Sequence, residues 1–360
     1  MLNFIHFRKT ALVACVTALC LASCKKEALT PEEPAPAAEL STEALESTKA
    51  TNAISLAGSN LQLGINGHPL GTTPYINTPA TKQIQLLKDM KMTWYRVDVM
   101  SKEDGSITVP SLWNPLQQAS ASGGVNILPM LYTRTLDLTV SEAESYKRGK
   151  TLGSNFAAKY GQYFTYYNLG NELEMKCLLP TKSGQSQADY NKAKYNVIRG
   201  YLRGMDEGIK AKDPGAKTMI DGSWLHYGFL RMLDWDGVKF DVVAWHWYSE
   251  MEGAAAGSMY KIPDITQKLS SLFPKKDIWF TEVNSRYKDA STHESKQNTF
   301  IVNFIEKCKK NPKVKVLMIY ELFNEPFKKG LLEPNYGIYK WTVEYTSYTK
   351  KMVAKTLSAK

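Results

Sequence analysis

Two glutamates stand where β-prone stretches of the sequence end, a placement that suits catalytic carboxylates. Glu172 follows Asn171 and the aromatic stretch 164–169, and Glu282 follows the stretch 277–281. Paired carboxyl groups can cleave a glycosidic bond: one protonates the leaving oxygen, and the other attacks the sugar or activates water. Taken alone, an Asn-Glu dipeptide equally describes a strand followed by a charged loop. The elements around the two residues must therefore decide between these interpretations.

Apolar runs alternate with helical patterns along most of the chain. The stretches predicted as strands are 61–66, 93–99, 125–132, 164–169, 217–221, 240–247, 277–281 and 314–320. Helical periodicity is found in 81–90, 110–121, 141–160, 189–212, 227–233, 262–272, 292–309 and 344–357. Residues 176–188 are predicted to form a polar loop. The alternation gives eight β-then-α units.

Eight such units predict an α/β fold, a (β/α)8 TIM barrel, which typically needs ~250 residues. A doubly wound sheet has the same alternation. Two observations favour the barrel. No Gly-x-Gly-x-x-Gly motif follows the first strand, and polar residues stand at the ends of most strands. In a barrel those ends meet in one mouth, which would bring together glutamates that are 110 positions apart.

The sequence resembles the clan A β-glycoside hydrolases, also called the 4/7 superfamily. Asn171-Glu172 matches their acid/base motif at the end of the fourth strand, and Thr281-Glu282 matches their nucleophile at the end of the seventh. The resemblance covers about residues 60–355, and the strand ends look most like family 39 and its bacterial relatives. It implies a retaining hydrolase in which Glu172 is the general acid/base and Glu282 is the nucleophile.

The resemblance also implies roles for residues near the two glutamates. Arg96 corresponds to an arginine near the nucleophile, although it could instead pair with Asp98 or another core acid. His246 and Tyr248 share one face of the sixth strand and correspond to residues that contact the carboxylates. His246 could also be an ordinary interior histidine. Asn171 is expected to bind the sugar 2-hydroxyl.

Further candidates for substrate binding are a histidine and several aromatic residues. His68 follows the first strand and either lines the sugar site or caps a loop. Trp224, Trp245 and Trp247 could be stacking platforms, but neighbouring residues on a strand face opposite ways, so at least one should be core. Tyr320 ends the eighth strand, where much of the clan has a tryptophan under the cleaved sugar.

The tripeptide Asn324-Glu325-Pro326 looks more like the family 5 acid/base motif than Asn171-Glu172-Leu173 does. It follows the eighth predicted strand, however, and so has the wrong place in the strand order. We interpret Glu321 and Glu325 as loop residues that could contact the substrate. The segment Tyr336-Gly337-Ile338-Tyr339 resembles the segment that follows the eighth strand in family 39-like barrels.

The N-terminus has the pattern of a bacterial lipoprotein signal. Residues 1–23 contain a basic start and an apolar run too short to span a bilayer, and Leu21-Ala22-Ser23-Cys24 resembles a lipobox. We expect cleavage before Cys24 and acylation of its thiol, with a plain signal peptide as the alternative. Residues 24–57 are rich in Pro, Glu, Ala, Ser and Thr and predict a tether. Residues 58–360 would be the catalytic domain, anchored to the cell envelope, at the outer membrane, periplasmic or surface-exposed.

Composition bounds the remaining possibilities. The net charge is +10, or +8 without residues 1–23, and no long basic stripe is present, which argues against nucleic-acid binding. We expect a monomer that acts on a carbohydrate and needs no cofactor or metal. Cys177 and Cys308 could form a disulfide, but nothing in their spacing requires one. Two alternatives remain: a glycan-binding protein on a degenerate barrel, and a metal-assisted barrel hydrolase with a His/Asp cluster at strand ends.

Overall fold

The computed structural model describes residues 54–286, 293–328 and 333–359. The predicted signal peptide, nearly all of the predicted tether and Cys24 therefore lie outside the described residues. Within the described ranges, no helix is long and apolar enough to cross a membrane.

Eight parallel strands close into a barrel in the order of the sequence, so the predicted (β/α)8 architecture is confirmed. The strands are β1 (Gln62–Gly67), β2 (Trp94–Val99), β3 (Asn126–Leu131), β4 (Tyr166–Leu169), β5 (Lys217–Ser223), β6 (Val242–Tyr248), β7 (Asp277–Asn284) and β8 (Val314–Ile319). Most strands are almost wholly buried, because helices cover their outer face and side chains fill the inside.

Helices follow the strands as the sequence predicts, with a few additions. They are α1 (Thr73–Ile76), α2 (Ala80–Asp89), α3 (Pro110–Gly123), α4 (Glu142–Tyr160), α5 (Lys192–Lys212), α6 (Tyr227–Trp235), α7 (Ser249–Ala256), α8 (Ile265–Leu272), α9 (His293–Lys309) and α10 (Met352–Ser358). The short helices α1 and α7 are not among the predicted elements. Single 3-10 turns, Leu173–Lys176 and Gln187–Asp189, overlap the two ends of the predicted loop 176–188.

The prediction of a closing helix over 344–357 is wrong for its first half. An antiparallel hairpin of β9 (Tyr339–Val343) and β10 (Ser347–Lys350) precedes α10. Thr342, Val343 and Thr349 are β-branched and favour strands, and Tyr345 adopts a positive φ of 59° at the turn. The helix can therefore begin only at Met352.

The inside of the barrel is plugged near the amino ends of the strands. The rings of Trp94 and Trp279 lie 4.8 Å apart, and Tyr166 packs against both. These rings belong to a buried cluster that is separate from the larger core between strands and helices. Because the amino-terminal half is filled by apolar side chains, the polar side chains inside the barrel lie at the carboxyl ends of the strands.

A bulge in β7 turns Glu282 toward these polar side chains. His246 of β6 pairs with Glu282, whereas the preceding residue of β6 pairs with Phe280, so Thr281 has no partner in register. Trp279 points into the barrel, and strict alternation would direct Glu282 outward. The extra residue reverses the alternation. Asn66 of β1 donates a hydrogen bond of 2.8 Å to the Thr281 carbonyl and so stabilises the bulge.

Candidate active site

Glu282 is held by three side chains from β2 and β6. Arg96 Nη1 donates to its Oε1 over 2.7 Å, and the Tyr248 hydroxyl donates to its Oε2 over 2.9 Å. His246 Nδ1 lies 3.5 Å from the same Oε2. The Glu282 side chain is 11 % exposed, so it is fixed in place but not closed off from solvent. A guanidinium and a phenol at these distances hold the carboxylate group in one orientation.

Glu172 lies on the turn that follows β4. Gly170 has φ 80° and Glu172 itself has φ 43°, in the left-handed region that non-glycine residues seldom adopt. Its backbone N–H donates to Asp221 Oδ1 over 2.7 Å. Its side-chain Oε1 lies 3.0 Å from His246 Nδ1. The tight turn thus directs the carboxyl group of Glu172 across the mouth toward β6.

His246 brings the two glutamates together. Its Nδ1 lies 3.0 Å from Glu172 Oε1 and 3.5 Å from Glu282 Oε2, so these two oxygens are at most 6.5 Å apart, the sum of the two contacts. His246 is fully buried. The two sequence interpretations of His246 are therefore both true, since it is an interior histidine and it contacts both carboxylates.

Arg96 joins all of these elements through its guanidinium group. Its five N–H groups are directed at five acceptors, a full use of its donors. The acceptors are Asn168 Oδ1 at 2.8 Å, Asn66 Oδ1 at 2.9 Å, Glu282 Oε1 at 2.7 Å, Asn171 Oδ1 at 2.7 Å and Asp221 Oδ2 at 3.4 Å. Arg96 does not pair with Asp98, which contacts His68 and Tyr132, but it does pair with another core acid, Asp221. Arg96 is the central cation of the site.

The charges around His246 determine its protonation. Burial alone would lower the pKa of His246, but the negative charge of Glu282 and the hydrogen bond to Glu172 outweigh it and raise the pKa to about 9. Asp221 also contributes, from 3.7 Å on the Nε2 side. Burial, and next the charge of Glu282, hold the pKa of Tyr248 well above its usual value. At neutral pH the site therefore contains an imidazolium between acidic groups and a protonated phenol.

Most of the chain matches a known family of enzymes. The model of the glycosyl hydrolase catalytic core matches residues 76–332, a span that includes both glutamates. The chain belongs to the glycosyl hydrolase catalytic core family. A catalytic core of this kind takes a carbohydrate as its substrate.

Solved structures of glycoside hydrolases share the fold of this glycosyl hydrolase core. A family 39 glycoside hydrolase from Bacteroides cellulosilyticus WH2 superposes with a TM-score of 0.62 at 17% identity, covering 82% of this chain and 62% of that one. Xylanase 10B from Thermotoga petrophila RKU-1, solved with xylobiose, gives 0.57 at 11% identity, covering 83% and 93%. The family 1 β-glucosidase from Thermotoga maritima gives 0.56 at 10%, covering 83% and 96%. No curated protein matches the sequence.

His68 lies beside the glycosyl hydrolase site, in a second group of charged residues. Its Nδ1 is 3.1 Å from Asp98, and its Nε2 is 3.1 Å from Glu321 and 3.8 Å from Glu325. Both of these glutamates are fully buried, so the idea that they contact the substrate is wrong. Burial raises the pKa of Glu321, and the charge of Glu325 raises it further. Lys328 compensates, with its ammonium 2.6 Å from Glu325.

The same group bears on the metal-dependent alternative. Donor atoms of His68, Glu321 and Glu325 all lie within 4.8 Å of one another, which is close enough for one ion. Lys328, however, places its ammonium 2.6 Å from Glu325 and 3.8 Å from Glu321. A metal ion would have to displace that ammonium. The residues therefore fit an internally compensated ion network better than a metal centre.

The predicted aromatic residues have different positions. Trp224, on the turn after β5, is half-buried with φ 52°, and its ring stacks on Trp247 at 6.1 Å. Trp245 and Trp247 are buried core residues, which goes beyond the expectation that at least one of them is core. The ring of Tyr320 lies 5.9 Å from His68, and its hydroxyl accepts a hydrogen bond from Lys328 at 3.0 Å.

Three residues that organise the glycosyl hydrolase site were not singled out from the sequence: Asn66, Asn168 and Asp221. Each belongs to a predicted strand, and Asp221 ends the predicted fifth strand, so a systematic search of strand ends for carboxylates would have found it. Cys177 and Cys308 are both buried free thiols, so the disulfide considered from the sequence is not formed.

Proposed function

We propose that the protein is a retaining glycoside hydrolase of β-linked glycans, with Glu172 as acid/base and Glu282 as nucleophile. The observation that carries this proposal is the shared contact of both glutamates with His246 Nδ1. The two contacts place Glu172 Oε1 and Glu282 Oε2 at most 6.5 Å apart. Retaining enzymes separate their carboxyl groups by ~5–5.5 Å and inverting enzymes by ~6.5–9.5 Å. A bound at the lower edge of the inverting range supports the retaining assignment.

The contacts suit a double displacement. Arg96 and Tyr248 hold the Glu282 side chain oriented, so that one of its oxygens can attack the anomeric carbon. The leaving oxygen takes a proton from Glu172 as Glu172 receives one from the His246 imidazolium, whose Nδ1 lies 3.0 Å from Glu172 Oε1, so the pair ends this step as a carboxylate and a neutral imidazole. In the second step Glu172 takes a proton from water, which attacks the glycosyl-enzyme and releases Glu282.

Asn171 is placed to bind the sugar near the reacting carbon. Its Oδ1 accepts a hydrogen bond from Arg96 at 2.7 Å, which fixes the amide group and directs its Nδ2 away from the arginine. The residue is exposed to the cavity side of the turn that carries Glu172. An oriented amide donor suits the sugar 2-hydroxyl, whose hydrogen bonds strengthen in the transition state.

We further propose endo action on a polysaccharide. Exposed apolar or aromatic side chains follow the carboxyl ends of four strands around the mouth: Met100, Tyr132, Met175 and Phe327, which are 37–51 % exposed. Such side chains can stack on sugar rings beyond the cleaved bond. The likeness in fold to a xylanase solved with xylobiose is consistent with a glycan of this type.

The decisive experiment is turnover of aryl β-glycosides and β-linked polysaccharides, with the anomer of the first product read by NMR. Wild type should release the β-anomer, Glu282→Gln should be inactive, and Glu172→Gln should lose about 10²–10⁴-fold on substrates with poor leaving groups. Glu306→Gln, which changes a surface carboxylate on α9, serves as the matched control. Release of the α-anomer would refute retention. A wild type that binds glycans without turnover would instead be a glycan-binding barrel.

We also propose that Cys24 anchors the protein to the bacterial envelope as a lipoprotein and that the catalytic domain acts there as a monomer. The lipobox-like Leu21-Ala22-Ser23-Cys24 and the polar segment 24–57 support this proposal. Mass spectrometry of the mature N-terminus should find a diacylated Cys24, and Cys24→Ser should move the protein from the detergent phase to the aqueous phase. Detergent partition unchanged by that substitution would refute the anchor.

A further inference from the structure

We propose that Asp221 is a positioning residue for Glu172, and that it forms one half of a two-way carboxylate clasp between β5 and the β4–α5 loop. This inference rests on the function proposed above. Asp221 is 1 % exposed and belongs to the interior of the site, so it acts through Glu172 and not by touching the glycan.

The first half of the clasp holds the backbone of Glu172. Asp221 Oδ1 accepts the N–H of Glu172 itself at 2.7 Å, a charge-assisted hydrogen bond. Glu172 has φ 43° and ψ 47°, a conformation sparsely populated by residues with a Cβ. A contact from a buried carboxylate on a rigid strand can hold the backbone there. The side chain of Glu172 is then directed at His246 Nδ1, 3.0 Å away.

The second half of the clasp runs in the opposite direction. Glu174, two residues beyond Glu172, is fully buried, and its Oε1 accepts both the backbone N–H of Ser223 at 2.9 Å and its hydroxyl at 3.0 Å. A carboxylate of β5 therefore holds an amide of the loop, while a carboxylate of the loop holds an amide of β5. The two contacts enclose the acid/base residue and fix its loop to the barrel.

The remaining oxygen of Asp221 faces the cations of the site. Oδ2 accepts a hydrogen bond from Asn168 Nδ2 at 2.9 Å and lies 3.4 Å from Arg96 Nη2 and 3.7 Å from His246 Nε2. This negative charge favours the imidazolium form of His246, whose Nδ1 faces Glu172. Burial raises the pKa of Asp221 to about 6, while the charges of His246 and Arg96 act to lower it, so the residue is ionised at neutral pH. Asp221 thus holds Glu172 in position and favours the protonated form of the histidine that faces it.

The test separates a residue that acts through the acid/base from one that only stabilises the fold. A phenyl β-glycoside needs protonation of its leaving oxygen, whereas a 2,4-dinitrophenyl β-glycoside leaves without it. Asp221→Asn keeps the side-chain volume and removes the charge. It should reduce kcat/KM about 10–100-fold on the phenyl glycoside and less than about 3-fold on the dinitrophenyl glycoside. In a Glu172→Gln background, the same substitution should change neither rate by more than about 2-fold.

Equal losses on both substrates, or losses that add fully to those of Glu172→Gln, would overturn the inference. If Asp221→Asn does not fold, Glu174→Gln weakens the other half of the clasp and must show the same dependence on the leaving group. Uniform losses in that variant would also overturn it. A wild type inactive on both glycosides overturns the proposed function and this inference together, whereas an active wild type with uniform losses overturns this inference alone.

Discussion

Replacing Arg96 by lysine tests whether the site depends on the shape of the guanidinium or only on its charge. Arg96 is 2 % exposed and directs five N–H groups at five acceptors contributed by β1, β4, β5, β7 and the turn after β4. Lysine keeps the positive charge but offers three donors on a flexible stem. At least two of the five acceptors must then lose the donor that Arg96 supplies.

The expected cost follows from those two acceptors. A buried acceptor without a donor costs about 1–3 kcal/mol, so Arg96→Lys should lower the free energy of unfolding by about 1–3 kcal/mol for each of Asn66 and Asn168 that the lysine does not reach. Arg96→Met also removes the guanidinium that pairs with Glu282 and Asp221, and breaking a buried ion pair costs about 3–5 kcal/mol. The methionine variant should therefore be the less stable of the two. Both should lose turnover, because Glu282 is no longer oriented.

Urea unfolding followed by tryptophan fluorescence gives the stability, and initial rates on an aryl β-glycoside give the activity. The matched control is Arg199→Lys, since Arg199 pairs with Glu142 and Asp236 on the surface and is 22 % exposed. That substitution should cost less than about 1 kcal/mol. An Arg96→Lys variant with wild-type stability, within about 0.5 kcal/mol, and wild-type turnover would refute the role given to the fixed guanidinium.

Three further predictions concern pH, metals and the bulge. The contribution of His246 to the free energy of unfolding, read as the difference between wild type and His246→Asn, should fall by up to about 3 kcal/mol as pH rises from 6.5 through 9, because folded His246 keeps its proton over that window while the unfolded residue loses it. Urea titrations should show a smaller fall in His246→Asn, and equal slopes would contradict the assignment. EDTA should leave the wild-type Tm unchanged, whereas Lys328→Ala, which removes the cation beside Glu325, should lower Tm and let added Mn²⁺ raise it again; a wild-type Tm that falls with EDTA would contradict the ion network. Asn66→Ala should cost about 1–3 kcal/mol in urea unfolding, because the Thr281 carbonyl loses its donor, and an unchanged midpoint would argue against that bond.

The barrel could be predicted from the sequence because its signals are local. Strand-like runs, helical periodicity and polar strand ends are all written in short windows, and their order places Glu172 on the fourth strand and Glu282 on the seventh. The same order explains why Asn324-Glu325-Pro326 is the less suitable acid/base candidate. The boundaries were less accurate, and β7 continues to Asn284 instead of ending at Thr281.

The remaining features depend on contacts between distant residues. Asp221 looks like any acidic residue before a turn until β4 is placed next to it, and only then does its carboxylate meet the N–H of Glu172. Glu321 and Glu325 look like loop residues, yet the fold buries both behind His68. A window of sequence contains the side chain but not the neighbour that determines its role.

The bulge at Thr281 also has a consequence for the local opening of β7. It interrupts the register of β7 against β6 on one side and against β8 on the other, so the strand that carries Glu282 has a weak point in both of its ladders. In native-state hydrogen exchange, the backbone amides of β7 around Thr281 should therefore exchange faster than those in the middle of β6. A glycan bound across the mouth would contact both sides of that opening. Bound substrate is then expected to slow amide exchange at Thr281 and Glu282 more than elsewhere in the barrel wall. In that case, substrate binding stabilises the pairing of β7 with its neighbouring strands.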